Sequence, residues 1–273
     1  MGKICVLGPR NSGKTTYLAG LAYWPAKQSK SSKSSLFSVQ AIGEAKHLEA
    51  KAEDIIRQGL SLPQTSIAGG IDEAPLYVFQ IKVKRCFRKP CVIDLVARDY
   101  PGEIFDELQS GASNPVHEDF LNECLMKDVE GCLVLLADWE KETDRVCSRA
   151  LEKFIELMDR RDRSNNLRLA VAMSKCERGE LWSGRLDPEM DIFGAHLRRT
   201  RTILRDRIPA RNLSFHAIST FGVLKRNDPR PNRTDLAGKG GCAVLRKPSK
   251  WQPYGMISPL YWLSTGKRMN SDA

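Results

Sequence analysis

Gly8 to Thr15 reads G-P-R-N-S-G-K-T, a glycine, four residues, a second glycine, then lysine and threonine. Glycines let a chain turn tightly enough for backbone N–H groups to converge on phosphate oxygens, and a helix starting at the lysine adds its positive end. Lys14 has the reach for the outer phosphates of a nucleotide, and Thr15 carries the hydroxyl that a magnesium ion takes as a ligand. The apolar run ICVL before the turn and a helix after it supply the frame this chemistry requires. Without that frame the same residues would be a glycine turn and a solvated lysine. Gly8, Pro9, Arg10, Asn11, Ser12, Gly13, Lys14, Thr15 and Thr16 are therefore the expected nucleotide-binding loop, with Lys14 also in a catalytic role.

A bound Mg²⁺ needs an acid at the end of a second core strand. Asp99-Tyr100-Pro101-Gly102 is a D-x-x-G that follows the strand-like run CVIDLVAR. Asp99 can hold a magnesium-bound water there, and the Gly102 N–H can meet a γ-phosphate. Asp94 is the competing acid, but it lies mid-strand and has no glycine three residues on, so Asp99 is preferred.

Further along, LAVAMSKCE ends in Ser174-Lys175-Cys176-Glu177, and one strand later comes Ala217-Ile218-Ser219-Thr220. The order GPRNSGKT, DYPGE, SKCE, AIST resembles a Ras-like P-loop GTPase over residues 3–220. In that family an N/T-K-x-D element reads guanine: the lysine stem packs over the base and the carboxylate accepts from N1–H and the 2-amino group. Adenine offers no such donor pair, so the acid gives specificity. Here Ser174 replaces Asn and Glu177 replaces Asp; the charge survives with one methylene more, which points to guanine selectivity of a looser kind. Ser219 falls where the family's last base-contacting loop lies. The family also uses a loop threonine that senses the γ-phosphate through Mg²⁺, a part for which Thr65 is chosen over its neighbour Ser66 in LPQTSIAGG. Some members with asparagine at the Asn11 position hold a stimulating K⁺ with it; the other reading of Asn11, a residue that stabilises a tight turn, is favoured. Within the family, the insertion before the hairpin, the DYPGE form and the closing PYGMISPLYWL resemble the double-GTPase domains of bacterial multicomponent conflict (defence) systems. That resemblance implies a molecular switch with GTP or GDP and Mg²⁺, acting with protein effectors or a second GTPase subunit.

Hydrolysis depends on the residue after D-x-x-G. Many relatives place a water-orienting glutamine there, whereas this chain has Glu103, which a γ-phosphate repels unless a cation or a shifted pKa intervenes. Glu103 is either a base or a residue turned away, and no in-cis arginine finger stands out; Arg10 and Arg98 are nearest in sequence. A finger from a partner adds roughly 10³–10⁵ in rate, so slow intrinsic turnover, stimulated in a complex, is expected. The rival classes are an ATP-using, kinase-like P-loop enzyme and a catalytically silent assembly protein that keeps nucleotide for structure.

The elements that must position these residues are legible as strand and helix patterns. Strands are expected at 3–7, 76–85, 91–98, 131–138, 167–174 and 213–219, and helices at 13–23, 43–59, 142–162, 188–207 and near 257–263. On the helix at 142–162, Val146, Ala150, Phe154 and Leu157 are expected to share a face. Residues 103–128 read as helical or irregular. Continuous apolar strands alternating with amphipathic helices give an α/β, three-layer Ras-like fold: a mostly parallel sheet, one antiparallel edge hairpin, helices on both faces. At 273 residues one domain, 1–273, fits best. Its insertion, 25–75, carries the expected magnesium-sensing loop, and 221–255 reads as a basic flexible loop.

Composition narrows the partners. The eight cysteines have no CxxC spacing and read as small buried hydrophobes in a reducing, cytoplasmic setting. No apolar run approaches the roughly 20 residues that span a bilayer, no signal peptide is expected, and Val6 stands where a myristoylation motif wants Ser or Thr; no membrane partner is expected. The net charge of +10 is concentrated in HLRRTRTILRDR and in residues 221–251, where eight Lys or Arg meet only Asp228 and Asp235. Nucleic acid or an acidic protein could bind there, yet no aromatic residues are interleaved as stacking platforms, so a solvated face is the favoured reading.

Overall fold

The computed structural model describes residues 3–28, 37–60, 74–85, 88–98, 102–110, 115–225, 227–236 and 242–269. β1 (Lys3–Leu7) leads to α1 (Lys14–Gln28), β2 (Phe37–Ile42), α2 (Ala45–Gln58), β3 (Leu76–Arg85), β4 (Arg88–Arg98), α3 (Glu103–Ser110) and α4 (Pro115–Cys124). There follow β5 (Val129–Leu136), α5 (Lys141–Arg160), β6 (Arg168–Met173), the single turn α6 (Gly194–His196), α7 (Arg198–Arg207) and β7 (Leu213–Ala217). Short strands β8 (Val223–Lys225), β9 (Asp228–Pro231), β10 (Arg233–Asp235) and β11 (Ala243–Leu245) precede α8 (Ser258–Thr265).

Seven strands form one sheet in the order β2-β3-β4-β1-β5-β6-β7. From β4 to β7 all pairings are parallel, while β2–β3 and β3–β4 are antiparallel. The pleat sends successive residues of β1 to opposite faces. Ile4 and Val6 join Leu18 of α1, Ile56 of α2 and Leu260 of α8 in one core, and Cys5 and Leu7 join Phe105 of α3, Phe120 of α4, Phe154 of α5 and Leu204 of α7 in the other. The chain is thus a three-layer α/β structure with a buried parallel centre.

Several expectations need correction. FSVQAI forms an extra edge strand, β2, whose register runs from Phe37 opposite Val83 to Ile42 opposite Val78. α1 continues past residue 23, through Pro25, to Gln28. Residues 88–90, expected in a turn, belong to β4. The buried face of α5 is Cys147, Ala150, Leu151, Phe154, Ile155 and Met158, so Val146 and Leu157 sit at its margin. The expected helix 188–207 is broken into a π turn at Pro188–Phe193, α6 and α7, with Leu197 at φ −122° between the last two. The described part of 221–255 is structured as two hairpins, β8–β9 and β10–β11. The fully buried Asn232 organises them: its amide donates to the Lys247 carbonyl and its side-chain oxygen accepts from the Lys247 N–H.

Candidate functional site

Parallel strands deliver their C-terminal ends to one edge of the sheet, where α/β folds place their ligand crevices. Here the turn at residues 8–15 leaves β1, residues 174–177 leave β6, and 218–220 leave β7. Backbone bonds tie these tips together: Ser174 N donates to the Leu136 carbonyl at 2.6 Å, Ile218 N to Met173 at 2.8 Å, and Cys176 N to Ile218 at 3.1 Å.

The turn 8–15 closes on itself. Ser12 N donates to the Pro9 carbonyl, and the Lys14 ammonium donates to the carbonyls of Gly8 (2.7 Å) and Pro9 (3.1 Å). Gly8 is required by close packing, since a Cβ there would stand 2.4 Å from the Leu135 carbonyl oxygen and 2.6 Å from Ser12 Oγ. Asn11 has φ +61°, a left-handed conformation that asparagine tolerates. The Ser12 hydroxyl is buried and has no hydrogen-bond partner among the described residues. Lys14, Thr15 and Thr16 open α1, a 15-residue helix with no acid in its first turn. Its positive end therefore meets the turn with no acid of the helix's own first turn beside it, an arrangement suited to an anion.

The β6 tip grips this turn from the side. The Ser174 hydroxyl donates to the Ser12 carbonyl at 2.6 Å, and the Lys175 ammonium donates to the Asn11 carbonyl, also at 2.6 Å. Lys175 has φ +54°, a backbone state that costs a non-glycine residue about 1 kcal/mol or more and persists where its surroundings hold it. Burial, then the positive charge of Arg233, pushes the Lys175 pKa below its ordinary value. Glu177 is wholly enclosed. Its Oε2 accepts from the Ser219 hydroxyl at 2.6 Å, and its Oε1 faces Arg233 Nη1 at 3.4 Å.

Gly102 packs directly on the turn: a Cβ at this position would lie 2.1 Å from the Arg10 nitrogen and 2.4 Å from the Pro9 carbonyl carbon. Glu103 follows, half-buried, and pairs with the exposed Arg10 at 3.6 Å. Asp99, Thr65 and Ser66 lie outside the described residues. Asp94 is opposite Lys3, at the end of β1 remote from the turn, and accepts from Gln80 Nε2 at 3.5 Å. Arg98, a candidate finger, is held by Glu123 at 2.7 Å and by the Ala74 carbonyl at 3.1 Å.

The structure thus brings together residues 8–16, Gly102, Glu103, Ser174, Lys175, Glu177 and Ser219. Arg233, which reaches Glu177 from β10, was missed by sequence reasoning; it sat among eight basic residues of an expected loop with nothing to single it out. In the basic helix α7, Arg201 and Arg205 share Glu189 and Arg207 pairs with Asp159.

No protein-family model matches the chain, and no curated protein does. Among solved structures, sup35 complexed with GDP aligns with 82% of this chain and 39% of its own, at 9% identity and a TM-score of 0.34. This chain accordingly spans well under half the length of that protein.

Proposed function

We propose that the chain is a guanine-nucleotide switch with a Ras-like P-loop fold, binding GTP and hydrolysing it slowly. The observation that carries this reading is the pair of bonds from Ser174 to the Ser12 carbonyl and from Lys175 to the Asn11 carbonyl, which joins a turn suited to an anion to a lysine-bearing strand tip. A purine on the Lys175 stem and a phosphate chain along residues 8–15 would then share one rigid frame.

Within it, the N–H groups of the turn and the α1 terminus hold the phosphates, and Lys14 extends from Gly8 and Pro9 toward the outer ones. The hard oxygen donors suited to Mg²⁺ are the hydroxyls of Thr15 and Thr65 and the carboxylate of Asp99. Held by those residues, the ion would supply positive charge against the negative charge that develops on the phosphates. Gly102, seated on the Arg10 backbone, offers its N–H toward the terminal phosphate. Arg10 balances the charge of Glu103, so the carboxylate stays near the turn without a glutamine's ability to orient water. That combination fits slow turnover and a need for a protein partner, for which a second GTPase subunit, as in double-GTPase defence systems, is the proposed class.

Calorimetry with GTP, GDP and ATP in magnesium buffer tests the reading, alongside identification of any nucleotide released when freshly purified protein is denatured. Guanine nucleotides binding at least tenfold more tightly than ATP is the expected result. No binding of GTP or GDP, or a preference for ATP, would overturn it.

A further inference from the structure

Glu177 is enclosed more tightly than base reading alone requires. Its side chain has no exposed area, and it is shut in by two donors with different ties. The Ser219 hydroxyl accepts from the Gly222 N–H at 2.7 Å, which directs its own proton at Glu177. Arg233 is shared. Nε (3.1 Å) and Nη2 both donate to Asp235 Oδ1, while only Nη1 faces Glu177, at 3.4 Å. The guanidinium also lies 5.7 Å from the centre of the Phe221 ring.

We propose that Arg233 competes with the guanine base for Glu177, and that base binding leaves Arg233 on Asp235 alone. The proposal rests on the guanine-nucleotide reading of the site. Its chemical ground is a likeness of donors. Guanine's N1–H and 2-amino group hang from one carbon, as the N–H groups of a guanidinium do, and each presents a planar fork to a carboxylate. Arg233 is therefore an internal stand-in for the base edge.

The arrangement makes the exchange easy in one direction. Leaving Glu177 breaks one long contact, whereas the two bonds to Asp235 remain. Asp235 is largely exposed, so the displaced charge moves toward water and not deeper into the protein. Ser219 holds the carboxylate in place throughout, anchored by Gly222. Adenine has no paired donors and cannot replace Arg233, so the competition adds to selection for guanine. It also links base occupancy to the β10–β11 hairpin, 56 residues downstream of Glu177.

The test uses the full chain with GDP and ATP as probes, measured by calorimetry in magnesium buffer, for the unaltered protein, Arg233→Met and Asp235→Asn. Removing Arg233 leaves Glu177 without its cation until the base arrives, so GDP affinity rises roughly tenfold, the worth of one charge-assisted hydrogen bond. Removing the Asp235 charge takes away the second seat and holds Arg233 on Glu177, so GDP affinity falls several-fold. ATP affinity changes in neither variant. Should Arg233→Met fail to fold, the exposed Asp235→Asn decides alone. GDP affinity that is unchanged or lower in folded Arg233→Met, or unchanged or higher in Asp235→Asn, overturns the competition while leaving the guanine reading intact. If GDP binds none of the three proteins, the guanine reading falls and the competition with it.

Discussion

The bond pair between the β6 tip and the turn 8–15 can be removed in a double-mutant cycle of Ser174→Ala and Lys175→Met. Lys175→Met keeps the apolar stem and deletes the ammonium, and with it a hydrogen bond from a charged donor to the Asn11 carbonyl. Such bonds contribute about 1.5–3 kcal/mol, and the lower end applies because this one is exposed. Ser174→Ala deletes a buried neutral bond worth about 1 kcal/mol and leaves the Ser12 carbonyl without that donor. Taken as a simple sum, the two losses weaken GDP binding by about 2.5 kcal/mol, roughly sixtyfold. The two bonds land on adjacent carbonyls of one turn, so each helps to hold the turn for the other, and the losses should not add. Titration calorimetry on the four proteins gives the coupling directly, and urea unfolding separates it from global stability. Full additivity, or GDP affinity within threefold of the unaltered protein in the double variant, would show that the bonds only staple two loops and do not shape a binding site.

Other outcomes follow from particular contacts. Gly102→Ala would place a carbon 2.1 Å from the Arg10 nitrogen, far inside the roughly 3.5 Å of ordinary contact, so GDP affinity should drop at least tenfold by calorimetry. Asp144→Ala removes the acceptor of the Arg199 and Thr200 N–H groups and of the Thr200 hydroxyl, and should cost about 2–4 kcal/mol in urea unfolding at an unchanged m-value. His216 is half-buried by area, but its Nε2 is inaccessible and has no hydrogen-bond partner among the described residues, and burial lowers its pKa to about 3. The unfolded chain therefore takes up a proton that the folded one refuses. This contribution to stability is intact above about pH 6.5 and erodes by up to about 1.4 kcal/mol per unit as the pH falls toward 3. His216→Phe should flatten that acid limb in thermal melts recorded between pH 7 and pH 4.

How much of this was legible in the sequence depends on how far apart the determining residues lie. β3 was read at its observed bounds because LYVFQIKVKR alternates over its whole length, and the buried face of α2 (Ala45, Leu48, Ala52, Ile55, Ile56) follows from helical spacing alone. β2 escaped because its alternation is six residues long and abuts a serine- and lysine-rich stretch. The break before α7 has no local signal. It is made by Asp144 of α5, whose carboxylate collects the N–H groups of Arg199 and Thr200 and so provides a helix start 55 residues away. Likewise Val146 and Leu157 fit the apolar spacing of α5, but the helix turns its Cys147–Leu151–Ile155 side to the sheet.

The site divides along the same line. Residues 8–16 were readable because adjacent positions supply both the turn and the charge, and Ser174, Lys175 and Ser219 because strand ends fix where they fall. Arg233 was not, since nothing in RPNRTDLAG distinguishes it from Arg230, which binds its neighbour Asp228 at the surface. The difference is created by burial. Taking Glu177 out of water makes an unpaired charge there cost several kcal/mol, and the hairpin β10–β11 brings an arginine whose side chain is itself enclosed. A charge this deep has to be balanced by the protein or by a ligand. If Glu177 meets a guanine edge, the balancing group must let go, and the exposed Asp235 two residues on gives Arg233 somewhere to go without leaving either carboxylate's neighbourhood. The hairpin that sequence patterns dissolve into a basic loop is thus the element through which base binding would be felt outside the pocket.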